Sequence, residues 1–343
     1  MNKKVILLGE PLMRFSPEET ERFLQADKMN RYFGGAEANV AVCLSGLGLD
    51  SYYVSRVPSD RIGQSFVNTV RCYGVNTEYI ARGGERMGIY FLENGASVRP
   101  SQAIYDRGHS AMTEVQIEDF DWERIFADAC LLHISGITSV ISGQAADVAE
   151  YAMTEAQRRG IACSLDLNYR SQLWQSGVKG KQERVRRLAL CADYCFGNPL
   201  DAARTLGFLN GVCDFEQMGF AECIAEENVR RMAEEYGFKG IFFTLRESIS
   251  ASFNRLSAIA YWQGVFHETE AMDLQIVDRV GSGDAFAAGI LYGILKGKDI
   301  QDTLEFGLVT GAVAHTIPGD FTITDAEEIE MIIRSGGSGR VQR

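Results

Sequence analysis

The chain has 343 residues, 46% hydrophobic and 23% charged, with a net charge of −12, a composition that suits a globular protein with a large core. Its acidity argues against a general nucleic-acid partner, which needs a basic stripe, and no run of about eighteen uninterrupted apolar residues offers a membrane span. The eight cysteines (Cys43, Cys72, Cys130, Cys163, Cys191, Cys195, Cys213 and Cys223) are scattered without a C-x-x-C pair. They read as reduced thiols, and with a short strand in place of a signal peptide the expected location is the cytoplasm.

In chain order, Val5-Ile6-Leu7-Leu8-Gly9 predicts a first buried strand, followed by strands at 52–55, 131–134, 161–165, 194–196 and 241–244. Helical spacing falls near 36–48, 62–73, 142–159, 182–191, 199–206 and 220–236. Strands alternating with helices predict a parallel sheet covered on both faces, with ligands at the carboxyl ends of its strands. Two segments, 11–33 and 87–107, break the rhythm and read as short strands outside the main sheet. Residues 206–219 read as a loop insertion and 335–343 as a frayed polar tail.

Near the C-terminal quarter, Leu274-Gln275-Ile276-Val277 reads as the end of a buried strand, and Asp278-Arg279-Val280-Gly281-Ser282-Gly283-Asp284-Ala285-Phe286 as a glycine turn opening a helix that runs to about Ile294. Unpaired N–H groups and the positive end of a helix favour an anion at such a turn. Asp284 then reads as a base that takes a proton from an attacking hydroxyl, while the neighbouring N–H groups stabilise developing phosphoryl charge. An ordinary turn with Asp284 as a first-turn helix residue is the other reading. Gly34-Gly35-Ala36-Glu37-Ala38-Asn39-Val40-Ala41 opens a second helix, and its paired glycines also read simply as a turn.

The first of these stretches resembles the D-T-x-G-A-G-D-x-F signature of the ribokinase-like, or pfkB, carbohydrate kinases, with Arg279 and Val280 in place of paired threonines and Ser282 in place of alanine. The second resembles their G-G-x-x-x-N-x-A signature. The resemblance implies a three-layer α/β/α sandwich with a mostly parallel central sheet and a small β-strand lid. Residues 1–10, 34–86 and 108–334 would form the main domain, and 11–33 and 87–107 the lid, through which copies pack as a homodimer or higher oligomer. It implies Asp284 as catalytic base, Gly281, Ser282 and Gly283 as the anion hole, and Gly34, Gly35 and Asn39 as contacts to sugar hydroxyls.

Further words, among them Pro11-Leu12-Met13, Gly88-Ile89-Tyr90-Phe91, Tyr105-Asp106-Arg107 and Asp166-Leu167-Asn168-Tyr169-Arg170, are similar to those of 2-keto-3-deoxygluconate kinases. That likeness implies ATP-dependent phosphorylation of the C6 hydroxyl of 2-dehydro-3-deoxy-D-gluconate. Gly34, Tyr90, Tyr105, Arg107 and Arg170 would hold the substrate, with the arginines near its carboxylate. A carboxylate matches arginine's fork of donors and a neutral sugar gains little from it, yet each arginine alone also reads as a surface ion-pair residue. A fructokinase-like neutral-sugar kinase and a non-catalytic sugar-binding protein on a kinase scaffold are the competing readings.

No G-x-x-x-x-G-K-[ST] loop is present, and Gly9-Glu10-Pro11 stands where a dinucleotide-binding enzyme would carry G-x-G-x-x-G. For ATP the resemblance implies Asn198, Thr244, Arg246, Gly281 and Gly283, with Ala312, His315 and Gly319 near the adenine. Asn198-Pro199-Leu200-Asp201 is similar to the N-x-x-E motif that helps organise Mg2+, often through water. Asp201 is one methylene shorter than the usual glutamate, and a helix N-cap followed by proline is the alternative. Asp278 reads either as part of a monovalent-cation loop or as a cap. His109, His133, His267 and His315 show no metal-ligand spacing.

Overall fold

The computed structural model describes residues 4–208 and 226–336. Its strands are β1 (Lys4–Leu8), β2 (Leu12–Ser16), β3 (Asn30–Gly34), β4 (Asp50–Val57), β5 (Ile80–Arg82), β6 (Gly88–Glu93), β7 (Gln102–Asp106), β8 (Ala129–Ser135), β9 (Ala162–Asp166), β10 (Tyr194–Gly197), β11 (Gly240–Ser248), β12 (Phe253–Trp262), β13 (Val265–Glu268) and β14 (Met272–Gln275). The larger sheet runs β13-β12-β11-β10-β9-β8-β1-β4-β5, with β14 also on β12. From β11 to β5 every pairing is parallel, whereas β12, β13 and β14 add antiparallel.

Burial on both faces explains why the parallel strands read as continuous apolar runs. Along β1 the side chains alternate between two layers. Ile6 and Leu8 pack with Val148, Ala152 and Leu188 on one face, and Val5 and Leu7 with Val40, Leu44, Ile290 and Phe306 on the other. The three-layer sandwich follows from that alternation. Local chemistry starts the helices: the Ser142 side chain accepts from Ala145 N–H before Gly143–Arg158, and the Asn198 side chain accepts from Asp201 N–H before Pro199–Thr205, each satisfying an N–H that has no partner inside the helix.

The second sheet, ordered β3-β2-β6-β7, comes from the two segments that broke the sequence rhythm. β2 pairs antiparallel with β3 and parallel with β6, and β6 antiparallel with β7.

Three expectations change. Residues 274–277 are not the end of a buried strand: β14 is a short, half-exposed edge strand antiparallel to β12, and Val277 lies beyond it, exposed. The helix expected at 182–191 begins earlier, at Val178, after Gly177 in a left-handed conformation (φ 65°). The helix expected from 220 is described over Glu226–Tyr236, and residues 209–225, with most of the expected insertion, Cys213 and Cys223, lie outside the described residues, as do 337–343 of the tail. No helix among the described residues is long and apolar enough to cross a membrane.

Candidate active site

A cavity of about 520 Å³ opens between the carboxyl ends of the parallel strands and the small sheet. β1 leads to Glu10, β9 ends at Asp166 and leads to Asn168 and Arg170, β10 leads to Asn198, and β11 supplies Thr244 and Arg246; β6 and β7 contribute Tyr90 and Tyr105 from the small sheet. Gly35, Asn39, Arg107, Asp201, Gly281, Ser282, Gly283 and Asp284 also lie on its wall.

Gly281 adopts φ 80° as the N-cap of the helix Ser282–Lys296, so Asp284 sits in the first turn. A Cβ on Gly281 would run into the Asp320 carbonyl oxygen, and the left-handed φ independently favours glycine. Asp284 is buried, and its Oδ2 accepts a 2.6 Å hydrogen bond from Asn39 Nδ2. Burial, then the Asp166 carboxylate, raise its pKa to about 7, against the opposing pull of the Asn39 bond and of Arg170. A carboxylate so poised can exchange a proton near neutrality. Asn39, expected to meet a sugar hydroxyl, holds Asp284 through Nδ2, and its Oδ1 is buried on the cavity wall without a hydrogen-bond partner.

The remaining expected residues divide. Gly35 (φ 126°) lies against the Glu10 carbonyl, while Gly34 abuts the Asp320 side chain and is not on the cavity wall. Tyr90 donates its hydroxyl to Asp320 and stacks on Tyr105 at 5.4 Å. Arg107 donates from Nε and one Nη to the buried Glu10 carboxylate. Asp106 is turned away, in a paired bond with Arg86. Arg170, Arg246 and Arg279 all face the cavity, and among the described residues none of the three forms an ion pair. Burial, with repulsion from Arg279 and Arg170, lowers the Arg246 pKa to about 10; its Nε is buried without a partner and one Nη donates to Ser282 Oγ at 3.2 Å. Such a donor-rich, mutually repelling group is suited to a phosphate chain.

Asp201 and Asn198 form a reciprocal capping box, and Asp201 Oδ1 also accepts from Tyr169 N–H at 3.2 Å. Burial and the neighbouring Asp166 push its pKa up to about 7. No group of three or more histidine, cysteine or acidic side chains able to hold a metal occurs among the described residues. Of the residues expected near the adenine, His315 is fully buried and bonded through Nδ1 to the Gly311 carbonyl at 2.8 Å, and neither it nor Ala312 or Gly319 is on the wall of this cavity. Gly319 instead donates its N–H to Asp278 at 3.1 Å. Asp278 also receives Val280 N–H at 3.2 Å and Arg14 Nη2 at 2.7 Å. These contacts match the capping reading.

Sequence reading missed Glu10, Glu37 and Asp320. Glu37 Oε1 accepts from Ser135 N–H, Ser135 Oγ and Thr138 Oγ1 at 2.7–2.8 Å, and burial raises its pKa. Glu10, in place of a glycine fingerprint after the first strand, was the available signal for the first of these; Asp320 lies in a loop with no local pattern.

The sandwich, its parallel sheet and the small second sheet define a ribokinase-like α/β fold. A pfkB family carbohydrate kinase profile matches residues 2–325. The chain belongs to the pfkB family and is a carbohydrate kinase. It is 40% identical to a 2-dehydro-3-deoxygluconokinase from Thermotoga maritima whose crystal structure superposes with a TM-score of 0.91, covering 97% of this chain and 99% of the other. It is 28% identical to a 2-dehydro-3-deoxygalactonokinase of Haloferax volcanii over 99% of each chain. It is 25% identical to a 2-dehydro-3-deoxygluconokinase of Bacillus subtilis, over 93% of this chain and 92% of that one.

Proposed function

We propose that the chain transfers the γ-phosphoryl group of MgATP to the C6 hydroxyl of 2-dehydro-3-deoxy-D-gluconate, with Asp284 as the base. The observation that carries this reading is the Asp284 carboxylate, its pKa raised to about 7, in the first turn of a helix whose first residues line the same cavity. The hydroxyl proton passes to Asp284 as its oxygen bonds to phosphorus and the bond to the departing ADP oxygen breaks. The N–H groups of the 281–284 turn receive the transferring charge, and Arg246 and Arg279 the charge of the nucleotide phosphates. Mg2+ would enter with ATP as part of the substrate, and Asp201, both of whose oxygens already accept backbone N–H groups, would meet it through water. Magnesium keeps several waters in such sites.

On the sugar side, Arg170 brings a guanidinium without an ion pair, and Arg107 retains the Nη it does not give to Glu10, so both can meet a carboxylate. The small sheet closes over the sugar as a lid and excludes water, which would otherwise consume ATP. The exposed apolar side chains Leu24, Met29, Val98 and Ile104 on that sheet and its loops support its pairing with a second copy. The similarity to a 2-dehydro-3-deoxygalactonokinase favours the C4 epimer as the second reading.

The test is ADP release with both 2-keto-3-deoxy acids, gluconate, D-fructose and D-ribose, with phosphorus NMR to place the phosphate. The gluconate-derived keto acid is expected to lead neutral ketoses by at least about 100-fold in kcat/KM, the scale of a lost charged hydrogen-bond pair. Equal or better rates with a neutral sugar, or no ADP release with any, would overturn the reading.

A further inference from the structure

Arg14 is among the largest fully buried side chains, and its charge is not spent within its own sheet. It sits in β2, in register with Tyr32 of β3 and Tyr90 of β6. Its Nε donates to Ser16 Oγ at 2.7 Å and its guanidinium lies 5.0 Å from the Tyr32 ring centre. The fork then leaves the small sheet. Nη2 donates to Asp278 Oδ2 at 2.7 Å, and Nη1 lies 3.7 Å from Asp320 Oδ1, with both carboxylates as buried as the arginine.

Each carboxylate carries the connection onward. Asp278 accepts Val280 N–H and Gly319 N–H, which fixes the entry to the 281–284 turn. Asp320 accepts the Tyr90 hydroxyl on the cavity wall, and its own carbonyl packs so closely on Gly281 that no side chain fits there. One cation therefore joins the small sheet, the amide turn and the loop between them. A buried ion pair adds little net stability over apolar packing, and removing one partner leaves an uncompensated charge. Arginine's planar fork hydrogen-bonds Ser16 and Asp278 at fixed angles while its charge faces Asp320 at 3.7 Å, which lysine cannot do.

We propose that Arg14 is a positioning residue that couples the sugar side of the site to the phosphate side, so that sugar held under the small sheet and nucleotide held on the amide turn strengthen each other's binding. This rests on the kinase reading above, in which the small sheet covers the sugar and the turn meets the phosphates. Binding linkage is reciprocal, so the coupling can be read from either ligand.

The experiment measures the dissociation constant of the sugar that the enzyme turns over, with and without saturating MgAMP-PNP, by calorimetry on the full chain. The unaltered enzyme is expected to show at least about fivefold tighter sugar binding with nucleotide present. Arg14→Met is expected to reduce that factor to about one, and Arg14→Lys to leave it intermediate, because it keeps charge and loses the fork. Asp278→Asn, which loses the charge and one of the two oxygens that accept Val280 N–H, Gly319 N–H and Arg14, is expected to lose most of the coupling and serves if Arg14→Met does not fold. A purely structural role would lower melting temperature in these variants and leave the factor unchanged in the folded fraction, and that result overturns the proposal. So does binding of both ligands to the unaltered enzyme without coupling. Failure of the unaltered enzyme to bind either ligand overturns the kinase reading, and this inference falls with it.

Discussion

Removing the Asn39 amide should move the pH dependence of the reaction in a calculable direction. Asn39 Nδ2 donates to Asp284 Oδ2 at 2.6 Å, a bond that favours the ionised carboxylate and opposes the burial that lifts its pKa to about 7. Hydrogen bonds to charged groups contribute about 1.5–3 kcal/mol and one pKa unit corresponds to about 1.36 kcal/mol, so Asn39→Ala should raise the Asp284 pKa by about 1–2 units. The base acts in its ionised form, so activity rises with pH: kcat/KM of the unaltered enzyme should fall about tenfold per pH unit below 7. In Asn39→Ala the same limb should appear near pH 8–9 by this arithmetic, leaving at pH 7 roughly a hundredth to a tenth of the base ionised where the unaltered enzyme has about half. Initial rates of ADP release from pH 5.5 to 9.5 at subsaturating sugar give both limbs. An identical limb in the two proteins, or full activity of the unaltered enzyme at pH 5, would refute the reasoning.

Arg170→Gln should weaken the keto acid about tenfold or more while leaving neutral sugars little changed, the charged hydrogen bond being lost only for the former; competition kinetics with D-fructose reads the difference. Glu10→Gln should lower KM for the acid sugar, because it frees the Arg107 fork from its carboxylate partner, and a rise in KM would count against a carboxylate near Arg107. Gly281→Ala combines a left-handed φ with a collision at the Asp320 carbonyl, so it should cost about 1–3 kcal/mol of stability together with most of the turnover, read by denaturant melts and rate assays. Thermal melting of Asp284→Asn tests the burial argument from the other side. The folded-state pKa lies above the carboxylate's unfolded value of 3.8. The favourable protonated contribution is therefore complete below that value and lost as pH rises through about 7. The variant should gain on the unaltered protein in melting temperature from about pH 4 to about pH 7 and hold level above that, and a pH-independent difference would contradict this.

What could be read from sequence was local. The glycine turn before Asp284, the Asn198-Pro199 helix start and the placement of β2, β3, β6 and β7 all rest on patterns within a few residues, where backbone conformation is set by glycine, proline and side-chain capping. The contacts that define the site's electrostatics join distant residues: Arg14 with Asp278, Glu10 with Arg107 and Asn39 with Asp284. No periodicity reports such pairs, so the two arginines expected at the sugar differ in the structure, one neutralised by Glu10 and one without an ion pair. The antiparallel edge was lost for a related reason. β12 alternates exposed and buried residues at its start, with Asn254 buried and Phe253 and Arg255 exposed, and β14 is solvated on one face, so neither presents the continuous apolar run of the central strands. For His315 only the family resemblance suggested a ligand contact; in the structure its buried ring is bonded through Nδ1 to the Gly311 carbonyl.

The central claim is that Asp284 takes the proton, and Asp284→Asn tests it most directly, since asparagine keeps the size and can still accept the Asn39 hydrogen bond. Single-turnover phosphorylation at pH 8, beside calorimetric sugar binding, should show a rate lower by about 10²–10⁴-fold with the dissociation constant changed by less than about threefold. A rate within about tenfold of the unaltered enzyme at intact binding would take Asp284 out of the chemistry.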